Sequence, residues 1–277
     1  MNKNLLKMAK EHSDPTIQDK VTGIKEVDED LMEQAERVYM KIKENVGRNP
    51  NKGNMYYDGT SYNSSPTSNA LVGILAKLLD YDKEAEDIYD SLRAKRGDYL
   101  YYEDNGIYGH LTYSNALVGT LASMLGINGD AEGIYTAINN NIGKNKKGLY
   151  NSYLNPDVGK KEQKSEALGN SCMALFGKSL GMESEAKETL NMMEIAIPKS
   201  GKLFCENEDS SRRDSLLDLS TVAMYRSLEM GNESSIAEKE INLDKDSFFS
   251  LWKSRFPTSD AALLGICYCL KAGKELK

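Results

Sequence analysis

Apolar residues are distributed along this chain in two alternating textures. Five stretches are apolar or small at nearly every position: SNALVGILAKLL from Ser68, SNALVGTLASML from Ser114, NSCMALFGKSLG from Asn170, STVAMYRSLEMG from Ser220 and AALLGICYCLKAG from Ala261. Residues of this kind on every side predict helices that are buried all round. Between them lie more polar stretches with apolar residues at one-turn spacing. In three of these a string recurs: AERVY from Ala35, AEDIY from Ala85 and AEGIY from Ala131. Alanine and tyrosine four residues apart share one helix face. A glycine stands eight residues after each tyrosine, at Gly47, Gly97 and Gly143, which predicts helices ended by a left-handed residue.

The textures are copies of one another. Of the 25 positions from Ser68 to Leu92, 13 are identical to those from Ser114 to Ile138, which marks internal duplication. Weaker copies follow, and the whole reads as five hairpins, each a polar helix followed by an apolar one, at about 28–80, 82–126, 129–181, 183–231 and 233–273. Ser68 and Ser114 are predicted N-caps. The apolar helices are expected to end near Asp80, Gly126, Gly181, Gly231 and Gly273. Residues 1–27 read as an N-terminal helix and polar linker, and 28–277 as a single repeat domain. Connections from apolar to polar helix are tight, as in LGINGDAE, whereas the opposite connections run to roughly a dozen residues or more. All long loops therefore gather at one end, with the N-termini of the apolar helices.

This order of polar helix, long loop, apolar helix and short turn resembles the (α/α) toroid. It is similar to the six-hairpin glycosidases and terpenoid-cyclase-like rings, and to the five-hairpin variant of some polysaccharide lyases. The resemblance implies an all-α ring with its site at the long-loop end. An open α-solenoid is the alternative architecture. Tetratricopeptide arrays fit less well, because their repeat of about 34 residues has short turns on both sides.

Composition narrows the chemistry. A balance of 35 basic and 42 acidic residues, formal charge -7, speaks against nucleic acid as a partner. The first residues lack the apolar run of a signal peptide, and no later stretch is long and apolar enough to span a membrane, so a soluble cytoplasmic protein is expected. Cys172, Cys205, Cys267 and Cys269 form no CxxC pairs and read as small core residues. With two histidines, His12 and His110, a histidine metal site has too few ligands, and no cofactor is called for.

The long loops carry the candidate chemistry. DGTSYNSSPTSNALVG from Asp58 and DNGIYGHLTYSNALVG from Asp104 share the pattern D-x3-Y-x5-SNALVG, so an aspartate and a tyrosine recur at fixed distances from an apolar helix. Turn chemistry and packing over a helix end account for such residues as readily as ligand contact does. However, 10 of the 16 tyrosines fall in the first three long loops, and rings tipped with hydroxyls suit a wet, concave carbohydrate site. Equivalent positions on adjacent helices lie about 8–10 Å apart. That overlaps the roughly 6.5–9.5 Å of an inverting glycosidase pair, which makes Asp58 and Asp104 the catalytic candidates. Tyr62, Tyr102, Tyr108 and Tyr113 would stack on or bond to sugar. Asn69, Asn115 and His110 would orient it, although Asn69, Asn115 and Asn170 fit equally a role in capping loops.

Further carboxylates stand at Glu103, Asp157, Glu166, Glu206, Glu208 and Asp209. The expected function is carbohydrate binding, with glycoside hydrolysis as the reaction the acid pair would support. One alternative is a polysaccharide lyase using His110, Tyr113 and Asn115, with Arg212 and Arg213 holding a uronate. The other is a non-enzymatic module whose tyrosine-rich face binds a peptide or protein. The partner expected is a small molecule or oligosaccharide; the sequence does not specify an oligomeric state.

Overall fold

The computed structural model of the protein describes residues 28–46, 55–56, 65–94, 100, 111–153, 164–241 and 258–276. The expected N-terminal segment, 1–27, lies outside them. The described residues form five hairpins of helices: α1 (Glu29–Asn45) with α2 (Pro66–Leu78), α3 (Asp82–Arg93) with α4 (Thr112–Met124), α5 (Asn128–Ala137) with α6 (Ala167–Ser179), α7 (Glu183–Ala196) with α8 (Ser215–Ser227), and α9 (Gly231–Glu240) with α10 (Thr258–Lys271). A π-helical turn, Ile138–Ile142, prolongs α5, and a two-stranded hairpin, β1 (Lys199–Ser200) and β2 (Leu203–Phe204), follows α7. Among the described residues no helix is long and apolar enough to cross a membrane.

The two textures become two layers. All of α2 except Lys77 is buried, and so is all of α10 except Lys271. The outer helix α3 buries only Ala85, Ile88, Tyr89 and Leu92, a single stripe. Its recurrent tyrosine reaches beyond its own hairpin: Tyr89 donates its hydroxyl to Asp130, 3.0 Å away at the start of α5, and Tyr39 stacks on Tyr81 with ring centroids 5.1 Å apart.

Consecutive inner helices pack side by side, and α10 packs against α8, α2 and α1. The ring is closed, so the structure is the toroid rather than the open solenoid. Backbone and charge seal the joint: Asp28 N–H donates to Ala272 O at 3.2 Å, and Lys274 Nζ reaches both oxygens of Asp80 at 2.9 and 3.0 Å. Close to this joint, Glu238 of α9 is almost wholly buried, holding Arg226 of α8 at 2.7 Å and Lys271 of α10 at 3.1 Å.

Two local expectations are corrected. Ser68 and Ser114 are not N-caps: Pro66 favours the first helical position, so α2 starts earlier, capped by Ser65, whose Oγ accepts from Ser68 N–H at 3.1 Å. Ser114 lies inside the first turn of α4, its hydroxyl 2.7 Å from that of Thr67 on α2. Gly231 does not end the fourth inner helix. The left-handed residues after the inner helices are Asp80, Gly126, Gly181, Glu229 and Gly273, with φ of 64°, 73°, 75°, 60° and 98°, and Gly231 opens α9. Gly143 has φ 71°, as expected; Gly47 and Gly97 lie outside the described residues.

Inner helices approach closely where one of them lacks a side chain. A Cβ on Gly119 would stand 2.2 Å from Cζ of the buried Phe176 ring, whereas one on Gly129, near the start of α5, would meet nothing within 4 Å. Gly119→Ala is expected to cost about 1–3 kcal/mol of stability, and Gly129→Ala to gain up to about 1 kcal/mol. Urea denaturation of the two variants checks both signs.

Candidate functional site

The N-termini of the inner helices share one end of the ring, and their entering loops are tied down by a repeated device. Asn170, fourth residue of α6, accepts from Tyr150 N–H at 2.8 Å and donates to Tyr150 O at 3.1 Å and Glu166 O at 2.9 Å. Asn69, fourth residue of α2, does the same with Tyr56 N–H at 2.6 Å, Tyr56 O at 3.1 Å and Ser65 O at 3.0 Å. Both amides are fully buried, and both ends of each are occupied by backbone. Asn115 is equally buried and donates to Leu111 O at 2.8 Å. These bonds give the Asn69 amide the loop-holding role that the sequence also allowed, and the Asn115 bond goes to the start of its own helix.

Successive loops are also stitched to one another. Thr112 N–H, opening α4, donates to Ser152 O at 2.9 Å, and Ala167 N–H, opening α6, donates to Glu206 O at 2.8 Å. Ser152 and Glu206 therefore occupy matching places on the rim, each three residues after a buried leucine, Leu149 and Leu203.

Acids collect beside these stitches. Burial raises the Glu166 carboxyl above its ordinary range; the charge of Glu206 adds to this, a hydrogen bond from Ser152 opposes it, and Asp214 contributes further in the raising direction. For Glu208, burial is outweighed by bonds from Lys147, Ser165 and Asn145, so its carboxyl is held below the ordinary range. Asp260, in the first turn of α10, is buried and accepts from Ser215 Oγ and from Ser259 Oγ, the latter at 3.3 Å. Asp218, fourth residue of α8, has its carboxyl pushed up to about 6 by burial, with Arg213 opposing and Asp214 and Glu240 adding. It lines a cleft of about 420 Å³ with Arg213, Asp214, Ser215, Leu219, Glu240 and Ile241.

Of the residues singled out from sequence, Asp58, Tyr62, Tyr102, Asp104, Tyr108 and His110 lie outside the described residues. Tyr113 is half-buried in the first turn of α4, packed against the core. Arg213, expected as part of a uronate-binding pair, faces Asp218 with Nε 3.7 Å from Oδ1 and donates through Nη1 to Ser200 O at 3.3 Å. Asp214, Asp218 and Asp260 were not singled out. Their sequence signal is an acid within one turn of an apolar helix start, which ordinary N-capping also produces; Asp214 is indeed the N-cap of α8.

A closed all-α ring with a polar, acid-bearing mouth is the class that these observations define. No protein-family model and no curated protein sequence matches the chain. Solved structures do match. An inactive variant of an α-1,6-mannanase from Salegentibacter sp. HEL1_6, in complex with α-1,6-mannotriose, superposes with a TM-score of 0.60 at 10% identity, over 87% of this chain and 99% of that one. An α-amylase from Clostridium perfringens gives 0.56 at 10% identity, over 87% and 98%. A family 76 glycoside hydrolase from Bacteroides thetaiotaomicron, a mannosidase, gives 0.53 at 9% identity, over 88% and 98%. At such identities the likeness is one of fold, an all-α toroid.

Removing the Asn170 amide strands the buried N–H and C=O of Tyr150. Asn170→Ala is expected to cost about 2 kcal/mol or more, and the Tyr150 amide should lose its protection in hydrogen exchange while that of Tyr56 keeps it.

Proposed function

We propose that the protein binds an oligosaccharide in the mouth of the ring and hydrolyses a glycosidic bond there. The observation that carries this reading is the stitching of consecutive loops across the inner-helix N-termini, which brings matching loop positions to one rim within a closed (α/α) ring. Glycoside hydrolases share that ring shape, and the mannanase superposed on this chain was bound to a mannotriose.

The rim register refines the acid assignment. The pattern buried apolar residue, aromatic, any residue, rim position reads Leu149-Tyr150-Asn151-Ser152 and Leu203-Phe204-Cys205-Glu206 in the third and fourth loops. Met55 and Leu100 are buried likewise, and the same count of three residues along the sequence leads to Asp58 in the first loop and Glu103 in the second, with Asp104 next in the sequence. The inactive mannanase variant has two consecutive aspartates replaced by asparagine. Consecutive acids in this chain's second loop are Glu103 and Asp104. We keep Asp58 and Asp104 as the acid and base and add Glu103 as the neighbour that would raise the proton affinity of Asp104. Tyr62, Tyr102, Tyr108, Tyr113 and His110 are the sugar contacts of this reading. The proposed setting is the cytoplasm, which four buried, unpaired thiols suit.

The test is incubation with α-1,6-mannotriose, α-1,6-linked mannan and maltooligosaccharides, following released reducing ends and the melting temperature. Hydrolysis of one linkage class is expected, with Asp58→Asn and Asp104→Asn each lowering the rate about 100-fold or more while ligand stabilisation persists. Unchanged melting and no release across these substrates would overturn the reading.

A further inference from the structure

Three inner helices carry asparagine as their fourth residue, Asn69, Asn115 and Asn170; in α8 the fourth residue is Asp218. The match also holds from the other end, since each lies eleven positions before a left-handed residue: Asp80, Gly126, Gly181 and Glu229. In the two clamps formed by Asn69 and Asn170, the amide accepts from one loop N–H and donates to the same residue's C=O. A carboxylate cannot make the second bond.

The fourth loop does without that clamp. Its aromatic residue, Phe204, pairs with Lys199 in the β1–β2 ladder, and Cys205 N–H donates to Pro198 O at 2.8 Å. Asp218 is thus released from the structural task of its counterparts. Its Oδ1 is buried without a hydrogen bond, and the Arg213 guanidinium stands off at 3.7 Å. The price is a desolvated charge: burial raises the carboxyl to about 6, the charges of Asp214 and Glu240 add to that, and only Arg213 opposes it. An asparagine would fit the position without this cost. Acids kept at a loss in a concavity are the sort that serve ligands.

The concavity is present, and the charge of its described lining residues is unbalanced. Its volume of about 420 Å³ falls in the range of small-molecule sites. Among the described residues, three lining carboxylates, Asp214, Asp218 and Glu240, face one guanidinium, which also serves Ser200 O. Among the described residues no three acidic, histidine or cysteine side chains gather as a metal ion needs, and the complement argued for is an organic cation. We propose that this cleft is a subsite of the mouth for a sugar ring bearing a protonated amine, with the ammonium seated against Asp218. The proposal rests on the reading of the mouth as a carbohydrate site. A neutral sugar would find hydrogen bonds without charge compensation there, and a uronate would be repelled.

An ammonium ligand binds the ionised carboxylate, so affinity rises with pH through about 6. The experiment titrates the full chain with glucosamine, glucose and glucuronate by ligand-observed NMR at about pH 6.8, where the amine is mostly protonated and Asp218 mostly ionised, and at pH 5. Glucosamine is expected to bind at least about tenfold tighter than glucose at the higher pH, glucuronate weakest, with the amine preference reduced at pH 5. Asp218→Asn should abolish the preference and, by removing the desolvated charge, melt higher than wild type at pH 7.5. That gain shrinks as pH falls through 6 and vanishes near 4, where both side chains are neutral.

Two outcomes overturn the proposal: no advantage of glucosamine over glucose on wild type, which needs no variant to observe, or a lower melting temperature for Asp218→Asn, the mark of a structural tie to Arg213. If oligosaccharides stabilise the wild type while the amine preference is missing, the subsite falls and the carbohydrate reading stands. If neither oligosaccharides nor glucosamine bind, both fall.

Discussion

Five apolar helices can share one core only if neighbours approach closely all the way round and the last returns to the first. The chain meets this constraint by leaving side chains out. A Cβ on Gly73 of α2 would stand 2.5 Å from Leu121 of α4, and one on Gly265 of α10 would stand 2.7 Å from Leu75 of α2. With Gly119 against Phe176, each contact sets a bulky residue into the gap left by a glycine on the adjoining helix, the close fit that ridge-into-groove packing demands. Glycine inside a helix costs about 1 kcal/mol of propensity. Burial of leucine and phenylalanine at about 25 cal/mol per Å² offsets that cost several-fold. Closure then fixes the rest: outer helices need only one apolar stripe, and all inner-helix N-termini face one way.

That common direction produces a polar mouth on an otherwise apolar barrel. Helix N-termini present unsatisfied N–H groups, which must be met by loop carbonyls, side chains or ligand. Here part of the demand is met by the neighbouring hairpin, as when Thr112 bonds Ser152 and Ala167 bonds Glu206. The same bonds that complete a helix start also hold the next loop on the rim. Stability of the ring and placement of the rim acid Glu206 are therefore one arrangement, and Asn69 and Asn170 extend it by tying Tyr56 and Tyr150 to the helices they enter.

Much of this was legible in the sequence because duplication writes architecture twice. The apolar and polar textures, the alanine and tyrosine spacing and the unequal connections lead to five hairpins, and the observed helices start within two residues of the expected spans or inside them. The fourth unit was misaligned for a definable reason. Its left-handed residue is Glu229 rather than a glycine, so matching on Gly231 sets Ser220 opposite Asn170 and hides Asp218 from the comparison. The role of the asparagines was underdetermined for another reason: an amide in a first turn reads the same in sequence whether it faces a cavity or a loop backbone, and only burial separates the two.

The fourth hairpin shows how a repeat changes the way a loop is held without losing its frame. A clamp and a short β ladder solve the same problem, fixing the backbone of an aromatic residue beside an inner helix. Once Phe204 is held by Lys199 across the ladder, the asparagine position is relieved, and a carboxyl can stand there although it costs the fold stability. The neighbouring groups support this exchange. Glu240 receives Lys202 N–H at 3.1 and 3.2 Å and packs against Gly201, so the ladder's own turn brings a third acid to the wall of the cleft. Hairpin, released position and acidic lining are consequences of one local change in how a loop is held, and that change is where this ring departs from its own repeat.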